Sequence, residues 1–335
     1  MPTLAAVLLL ASVVLLAMVP ASAVAAGPGS GGNGPGPGGP DRDVDVDMGP
    51  KRARIRSTVS GSDGGSGGGD ALDYEIQAEN RLTLQMQYRN EAGIDTVDLD
   101  MTVRFRQMVE YEDGDGDGQL GPGDEVVSTY DLEGASWGDL VHGEEAAEDG
   151  KKVHTITAST SDGVFTMVSH TTETRTMSEH GEISPNLMKI DLVVEDFPWT
   201  RTTTRLALQA SIETGDPVTH LTDPAQRGYM GENEAGVETC NAEQAGFYTW
   251  VRSAVVDGVI EQVRARVSAD AEGTELTFNY AQGDSILHDP KLGIPVVDEG
   301  LFDVMDRLLP YLAALGMGFV VVGVAVYARR RSDTA

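Results

Sequence analysis

Met101-Thr102-Val103-Arg104-Phe105-Arg106-Gln107-Met108-Val109-Glu110-Tyr111 is the stretch that decides the fold class. Met101, Val103, Phe105, Gln107, Val109 and Tyr111 alternate with Thr102, Arg104, Arg106, Met108 and Glu110. A period of two puts one set on each face of a β-strand. The same period runs through Leu82, Leu84, Met86 and Tyr88, through Leu206, Leu208, Ala210 and Ile212, and through Leu276, Phe278 and Tyr280. Val255-Val256-Asp257-Gly258-Val259-Ile260 adds the Asp-Gly pair of a type I′ hairpin turn, in which both central residues take positive φ. Such segments recur from Ala71 onward and helical patterns are few. The expected fold class is therefore all-β, an antiparallel β-sandwich built as one large or two small sandwiches.

Residues 215–246 break the pattern, with Pro217, Pro224, Gly228, Gly231 and Gly236 and no periodicity. A loop of about 30 residues is long for a compact domain. It is read as the divider between a β-sandwich region at 71–214 and a second β region at 247–297. Upstream, 27–70 reads as a disordered arm. Gly27 to Pro40 is almost wholly Gly, Pro, Ser and Asn, and Ser60 to Gly69 is mostly Gly and Ser. Between them Asp41, Asp43, Asp45 and Asp47 alternate with other residues, and Lys51-Arg52-Ala53-Arg54-Ile55-Arg56 reverses the sign. Both runs are read as parts of a solvated tether.

The two ends predict a membrane topology. Leu4 to Val19 is apolar apart from Ser12, and Ala21-Ser22-Ala23 and Ala23-Val24-Ala25 fit the small-x-small site of a signal peptide over 1–26. Leu301, Val304, Met305 and Leu308 recur at helical spacing after Asp298-Glu299, predicting a juxtamembrane helix at 298–307. Leu308 to Ala328 is an uninterrupted stretch of 21 apolar or small residues. At about 1.5 Å per residue it spans about 30 Å, one bilayer core. Arg329-Arg330-Arg331 follow at once and place the 329–335 tail in the cytoplasm, with the N-terminus and ectodomain outside. The expectation is a type I single-pass protein of the cell membrane. This ending resembles cell-surface sorting tails, which join a recognition motif, an apolar helix and an Arg cluster. Arg307-Leu308-Leu309-Pro310-Tyr311 matches neither the Leu-Pro-x-Thr-Gly nor the Pro-Gly-Phe motif, so the helix is expected to be retained.

The chain carries 53 Asp and Glu against 24 Lys and Arg, for a formal charge of -29, and its only lysines are Lys51, Lys151, Lys152, Lys189 and Lys291. Such a surface repels nucleic acid, attracts cations and suits solubility in high salt. A single cysteine, Cys240, excludes an intramolecular disulfide and reads as a buried or inert residue, the alternative being pairing between chains.

The cation-binding candidate is Asp113-Gly114-Asp115-Gly116-Asp117-Gly118-Gln119-Leu120-Gly121-Pro122-Gly123-Asp124-Glu125. Asp113, Asp115 and Asp117 fall at positions 1, 3 and 5 of a calcium loop, Gly118 at 6 and Asp124 at 12. Hard Ca²⁺ takes six to eight oxygens, and alternate carboxylates on a curled backbone converge on one point. Gln119 offers its carbonyl, and Glu125 a bidentate carboxylate beside Asp124. The expected metal residues are Asp113, Asp115, Asp117, Gln119, Asp124 and Glu125, with structural Ca²⁺. The segment resembles the Asp-x-Asp-x-Asp-Gly loops of EF-hands, dockerins and several extracellular β proteins. Its flanks, Thr102 to Tyr111 and Val126 to Tyr130, read as strands, so a hairpin tip is expected in place of a helix pair.

No catalytic set emerges. Gly283-Asp284-Ser285-Ile286, with His288 and Asp289 nearby, resembles the Gly-Asp-Ser block of lipase-like esterases, but it lies far from the N-terminus and lacks the downstream Asp-x-x-His. It reads as a loop. His142, His154, His170, His180 and His220 show no ligand spacing, so no zinc site is expected. Trp137, Trp199 and Trp250 read as core. The expected function is non-catalytic: a calcium-stabilised extracellular β protein for adhesion, envelope structure or binding of an extracellular protein or glycan partner. The alternatives are a ligand-capturing or sensory ectodomain working with a partner subunit, and a surface hydrolase on a β scaffold.

Overall fold

A computed structural model describes residues 42–59, 71–89, 99–147, 150–178, 181–222, 230, 233–240, 245–269 and 273–295. The expected signal peptide, juxtamembrane helix, transmembrane helix and tail lie outside these residues. Among the described residues no helix is long and apolar enough to cross a membrane. The chain opens with β1 (Arg42–Met48), β2 (Arg52–Val59), β3 (Ala71–Ala78), β4 (Leu82–Arg89), β5 (Leu99–Glu112) and β6 (Glu125–Asp131). It continues through β7 (Val141–Ala146), β8 (Lys152–Ser159), β9 (Phe165–Thr172), β10 (Thr176–Ser178), β11 (Gly181–Ile183) and β12 (Leu187–Glu195). Then come β13 (Arg205–Thr214), β14 (Val218–Leu221), β15 (Glu234–Cys240), β16 (Ala245–Val251) and β17 (Ser253–Val256). The last are β18 (Val259–Gln262), β19 (Arg264–Ala269), β20 (Thr274–Tyr280), β21 (Ser285–His288) and β22 (Pro290–Gly293).

The fold is all-β, with two large antiparallel sheets and the short β10–β11 hairpin. The first sheet runs β1-β2-β3-β4-β5-β13-β20-β19, with β6 also on β5. The second runs β14-β15-β16-β22-β12-β21-β17-β18, with β9, β8 and β7 extending from the other edge of β12. One long strand organises each sheet. β5 takes β13 along one edge and β4 and β6 end to end along the other. β12 takes β9 along one edge and β22 and β21 end to end along the other.

A single core joins the sheets. Leu84, Phe105, Leu208 and Phe278 from the first belong to one cluster with Phe165, Ile190, Leu192 and Trp250 from the second. Phe105 meets Phe165 at a ring separation of 5.7 Å, and Trp250 meets Phe278 edge-on at 5.3 Å. Burying a side chain of this size is worth about 1.5–3 kcal/mol, which makes this interface the main source of cohesion. Trp137 and Trp250 are buried in that core, as read from the sequence, and Trp199 packs against it.

Strands on both sides of residue 215 contribute to the same core cluster. β13 ends in the first sheet at Thr214 and β14 begins the second at Val218, so the unpatterned stretch opens with a crossover between layers. It also contains β15, whose Ala235 and Val237 face the core. Its alternate position, Gly236, lies so close to β16 that an added Cβ would stand 2.7 Å from Thr249 Cγ2. A strand that needs glycine there hides its own periodicity. Cys240 closes β15 with its side chain exposed, contrary to the buried reading.

The acidic and basic runs of the expected arm are likewise strands. β1 and β2 pair in register, with Asp45 opposite Arg56 and Asp47 opposite Arg54. Ala53 and Ile55 are buried on the core face, and Val44, Val46 and Met48 pack there too. The alternating charges are the outer face of a half-buried hairpin. They continue across β3, where the carboxylate of Asp73 accepts Arg56 at 2.9 Å, Arg54 at 3.1 Å and also Arg89. Burial works to raise the Asp73 pKa, but the hydrogen bonds from Arg56 and Arg54 outweigh it, and the group is held below its ordinary value. The remaining residues of the arm lie outside those described.

A carboxylate with a lowered folded pKa stabilises fully above the ordinary carboxylate range, and that contribution fades as pH falls through the folded value. Asp73→Asn is expected to cost about 1–2 kcal/mol at neutral pH, discounted because the arginines are partly exposed. Urea unfolding of both proteins from about pH 7 to about pH 3 should show the gap closing as Asp73 protonates. A gap that stays constant would remove the ion cluster as its cause.

Candidate metal centre

The acidic loop joins β5 to β6, and its seat begins with a register slip. β5 pairs with β13 at Gln107↔Gln209 and then at Phe105↔Ala210, leaving Arg106 as an extra residue. A one-residue bulge exchanges the faces beyond it. Met101, Val103 and Phe105 point into the main core as expected, but so does Met108, while Val109 and Tyr111 join Ala207 in a separate outer cluster. The alternation read from the sequence therefore holds up to Phe105 and inverts after it. The bulge is itself satisfied, since the Arg106 carbonyl accepts the N–H groups of Leu132 and Glu133 at 2.9 and 3.1 Å.

The slip turns Glu110 inward, where it is fully buried. Its carboxylate accepts from the N–H of Thr200 at 3.0 Å and of Arg201 at 2.9 Å, and from the Ser128 and Thr204 hydroxyls at 2.8 Å each. Burial alone would raise its pKa. The Arg201 N–H, the Ser128 hydroxyl, the Thr200 N–H and the Thr204 hydroxyl together hold it below the ordinary value. With its backbone fixed, Arg201 reaches Glu112 at 2.5 Å and Glu125 at 2.6 Å. Glu125 is thus engaged at the base of the hairpin by Arg201, which lowers its pKa.

Above that base the loop is pinned to the outer face. Leu120 packs against Val109, Tyr111 and Ala207. The side-chain oxygen of the fully buried Asn279 accepts the Leu120 N–H at 2.8 Å and the Tyr111 hydroxyl at 3.1 Å. Burial pushes the Tyr111 pKa up to about 12, so it remains a donor. Arg264 of β19 donates to the Asp117 carbonyl, and Arg266 to the Leu120 carbonyl at 3.3 Å.

The backbone then curls around its own carboxylates. Asp113 accepts the N–H groups of Gly116 and Gly118, both at 2.9 Å. Asp115 accepts from Asp117 at 3.1 Å, and Asp117 from Gln119 at 2.6 Å. Asp124 closes the loop by accepting from Gly114 at 2.9 Å and Gly121 at 2.6 Å. Ligand oxygens of Asp113, Asp115 and Asp117 lie within 4.8 Å of one another. The structure thus draws three of the six expected residues together, sets Asp124 and Gln119 in the loop framework, and turns Glu125 to Arg201. The three oxygens suit a hard cation, since all are carboxylate and the local charge is strongly negative.

Among the described residues one further group brings three ligand atoms within 4.8 Å: His142, Glu144 and His154. The two histidines stand twelve residues apart, and only the pairing of β7 with β8 unites them.

The Gly-Asp-Ser block forms no nucleophile site. Ser285 begins β21, exposed, with its N–H bound to Asp257 at 2.9 Å. His288, an odd number of residues along the strand, points to the opposite face. It is buried between the Tyr280 hydroxyl at 2.9 Å and the Val251 carbonyl at 2.8 Å, and burial lowers its pKa to about 4. A groove of 330 Å³ on the first sheet is lined by Arg52, Arg54, Arg89, Asp73, Glu75 and two glutamines. Its charged lining is the cross-strand ion pairs of Asp73 with Arg54 and Arg89 and of Glu75 with Arg52.

No family model matches the chain, and no curated protein matches it in sequence.

Gly116 and Gly118 provide a paired test of the loop. Both have positive φ, 75° and 73°, but a Cβ on Gly116 meets nothing whereas one on Gly118 lies 3.1 Å from Arg264 Cδ. Gly116→Ala is expected to cost about 1 kcal/mol from backbone strain alone. Gly118→Ala should cost about 1 kcal/mol more, because Arg264 must also leave the Asp117 carbonyl. Denaturant unfolding of the two variants side by side measures the difference.

Proposed function

We propose that this chain is a membrane-anchored extracellular β protein, stabilised by Ca²⁺ at Asp113, Asp115 and Asp117, that serves adhesion, envelope structure or partner binding without catalysis. The observation that carries the reading is the convergence of these three carboxylates on a loop pinned through Leu120 and Asn279. Among the described residues their carboxylates make no salt bridge, and the nearby Arg264 donates to the Asp117 carbonyl instead. Three anions held this close repel one another unless a cation stands between them. Asp124 holds the loop closed through the Gly114 and Gly121 N–H groups, and Ca²⁺ supplies charge neutralisation and rigidity, not chemistry.

The anchor rests on the sequence. Leu308 to Ala328 has the length and composition of a membrane span, and Arg329-Arg330-Arg331 set its orientation. An outward-facing ectodomain meets a medium in which a site of modest affinity fills. The partner, an extracellular protein or glycan, would meet an acidic surface interrupted by short arginine ladders such as that of β2.

Calcium titration of the full-length chain by calorimetry should give a dissociation constant of about 10⁻⁴ to 10⁻³ M. At tenfold excess over that constant the fold gains about 1.4 kcal/mol, read as a rise in Tm. Asp115→Ala and Asp117→Ala should abolish both signals. No heat and no Tm shift in the parent protein would sink the calcium reading. For the topology, an external protease added to intact cells should remove an epitope placed in the ectodomain and spare one fused to Ala335. The reverse pattern would overturn the orientation.

A further inference from the structure

β7 is an edge strand with almost every side chain exposed, and it carries His142 and Glu144 two residues apart on one face. Glu144 stands directly opposite His154 of β8 in the antiparallel register. His142 Nε2 lies 3.4 Å from His154 Nδ1, and the two rings stack at 18° with centroids 5.7 Å apart. Glu144 Oε1 lies 4.0 Å from the same Nδ1, while its other oxygen is held by Lys152 at 3.0 Å.

These separations match one kind of ligand. A tetrahedral ion with bonds of about 2.0–2.1 Å keeps its ligand atoms about 3.3–3.4 Å apart. The two imidazole nitrogens already have that spacing, and Glu144 Oε1 must close on His154 Nδ1 by about 0.6–0.7 Å to reach it. His154 is 7 % exposed, and its Nε2 is buried with no hydrogen-bond partner among the described residues. Its Nδ1 is the nitrogen turned toward the cluster. Lys152 opposes a cation, but its side chain is 60 % exposed and screened, and it fixes the carboxylate as an outer partner of a metal ligand does.

We propose that His142, Glu144 and His154 form a site for a divalent transition metal of the Zn²⁺ class, with a fourth position open to solvent. Two nitrogens and one oxygen are a poor set for Ca²⁺, which takes oxygen ligands, so the two centres of this protein are separated by donor chemistry. Bound metal would clip β7 to β8 at an edge that has little apolar contact of its own.

The test uses the tag-free full-length chain in detergent with excess Ca²⁺ to fill the acidic loop. Co²⁺ is the spectroscopic probe and Zn²⁺ the competitor. The expected result is a visible ligand-field absorption that saturates at one Co²⁺ per chain and is displaced by Zn²⁺. His142→Ala, an exposed substitution that leaves the core intact, should weaken Zn²⁺ binding at least about tenfold and abolish the absorption, and Glu144→Gln should weaken it as well. Asp115→Ala should leave it unchanged, which separates this site from the calcium loop. No absorption in the parent chain overturns the proposal, as does undiminished Zn²⁺ binding in His142→Ala.

Discussion

The pairing of β5 with β13, and the single extra residue at Arg106 within it, governs the end of the molecule that carries the acidic loop. Strand faces alternate strictly, so one inserted residue reassigns every side chain beyond it. Here the slip turns Glu110 inward to grip the Thr200–Arg201 backbone and turns Val109 and Tyr111 outward. The outward pair creates the apolar seat for Leu120, and the Tyr111 hydroxyl shares the oxygen of Asn279 with the Leu120 N–H. Without the bulge the Asp113–Asp124 loop would lose both anchors. Bulges commonly re-aim side chains beside functional sites, and this one orients an entire loop.

Charge is the second constraint. A chain with a formal charge of -29 must keep its carboxylates apart or give each a partner. Most that fall within the described sheets are partnered locally. Asp73 takes three arginines, Glu110 takes backbone and hydroxyl donors, and the buried Asp191 takes His170 at 2.9 Å and Lys189 at 2.6 Å. Burial works to raise the Asp191 pKa, and the His170 hydrogen bond and Lys189 charge more than offset it. The acidic loop differs. Among the described residues its carboxylates accept from the loop's own backbone amides and form no salt bridge, which fixes their shape and leaves them charged. That residual charge sets the loop apart from the partnered carboxylates of the sheets.

Much of the fold was legible along the chain. The alternations at Leu82–Tyr88, Leu206–Ile212 and Leu276–Tyr280 all face the core as read, and Asp257-Gly258 makes the hairpin turn with φ of 50° and 80°. The strand–loop–strand setting of the Asp-rich segment was legible too. The arm was misread because a hairpin whose outer face is wholly charged has the composition of a solvated linker. Its inner Val44, Val46, Ala53 and Ile55 are few and small, and they mean something only once another sheet covers them. The β15 strand was missed for a related reason, since Gly236 and its glutamates conceal the apolar alternation.

The sequence by itself determined the all-β class, the Asp-Gly turn, the order of carboxylates in the loop and the apolar span at 308–328, because these depend on neighbours a few residues apart. Tertiary structure alone decided that strands from β1 to β22 share one core, that Arg106 shifts the register, and that Glu125 turns to Arg201. It also decided that His142 and Glu144 meet His154. Each of these depends on which strand lies beside which and in what register, and pairing between distant segments is written in no local pattern.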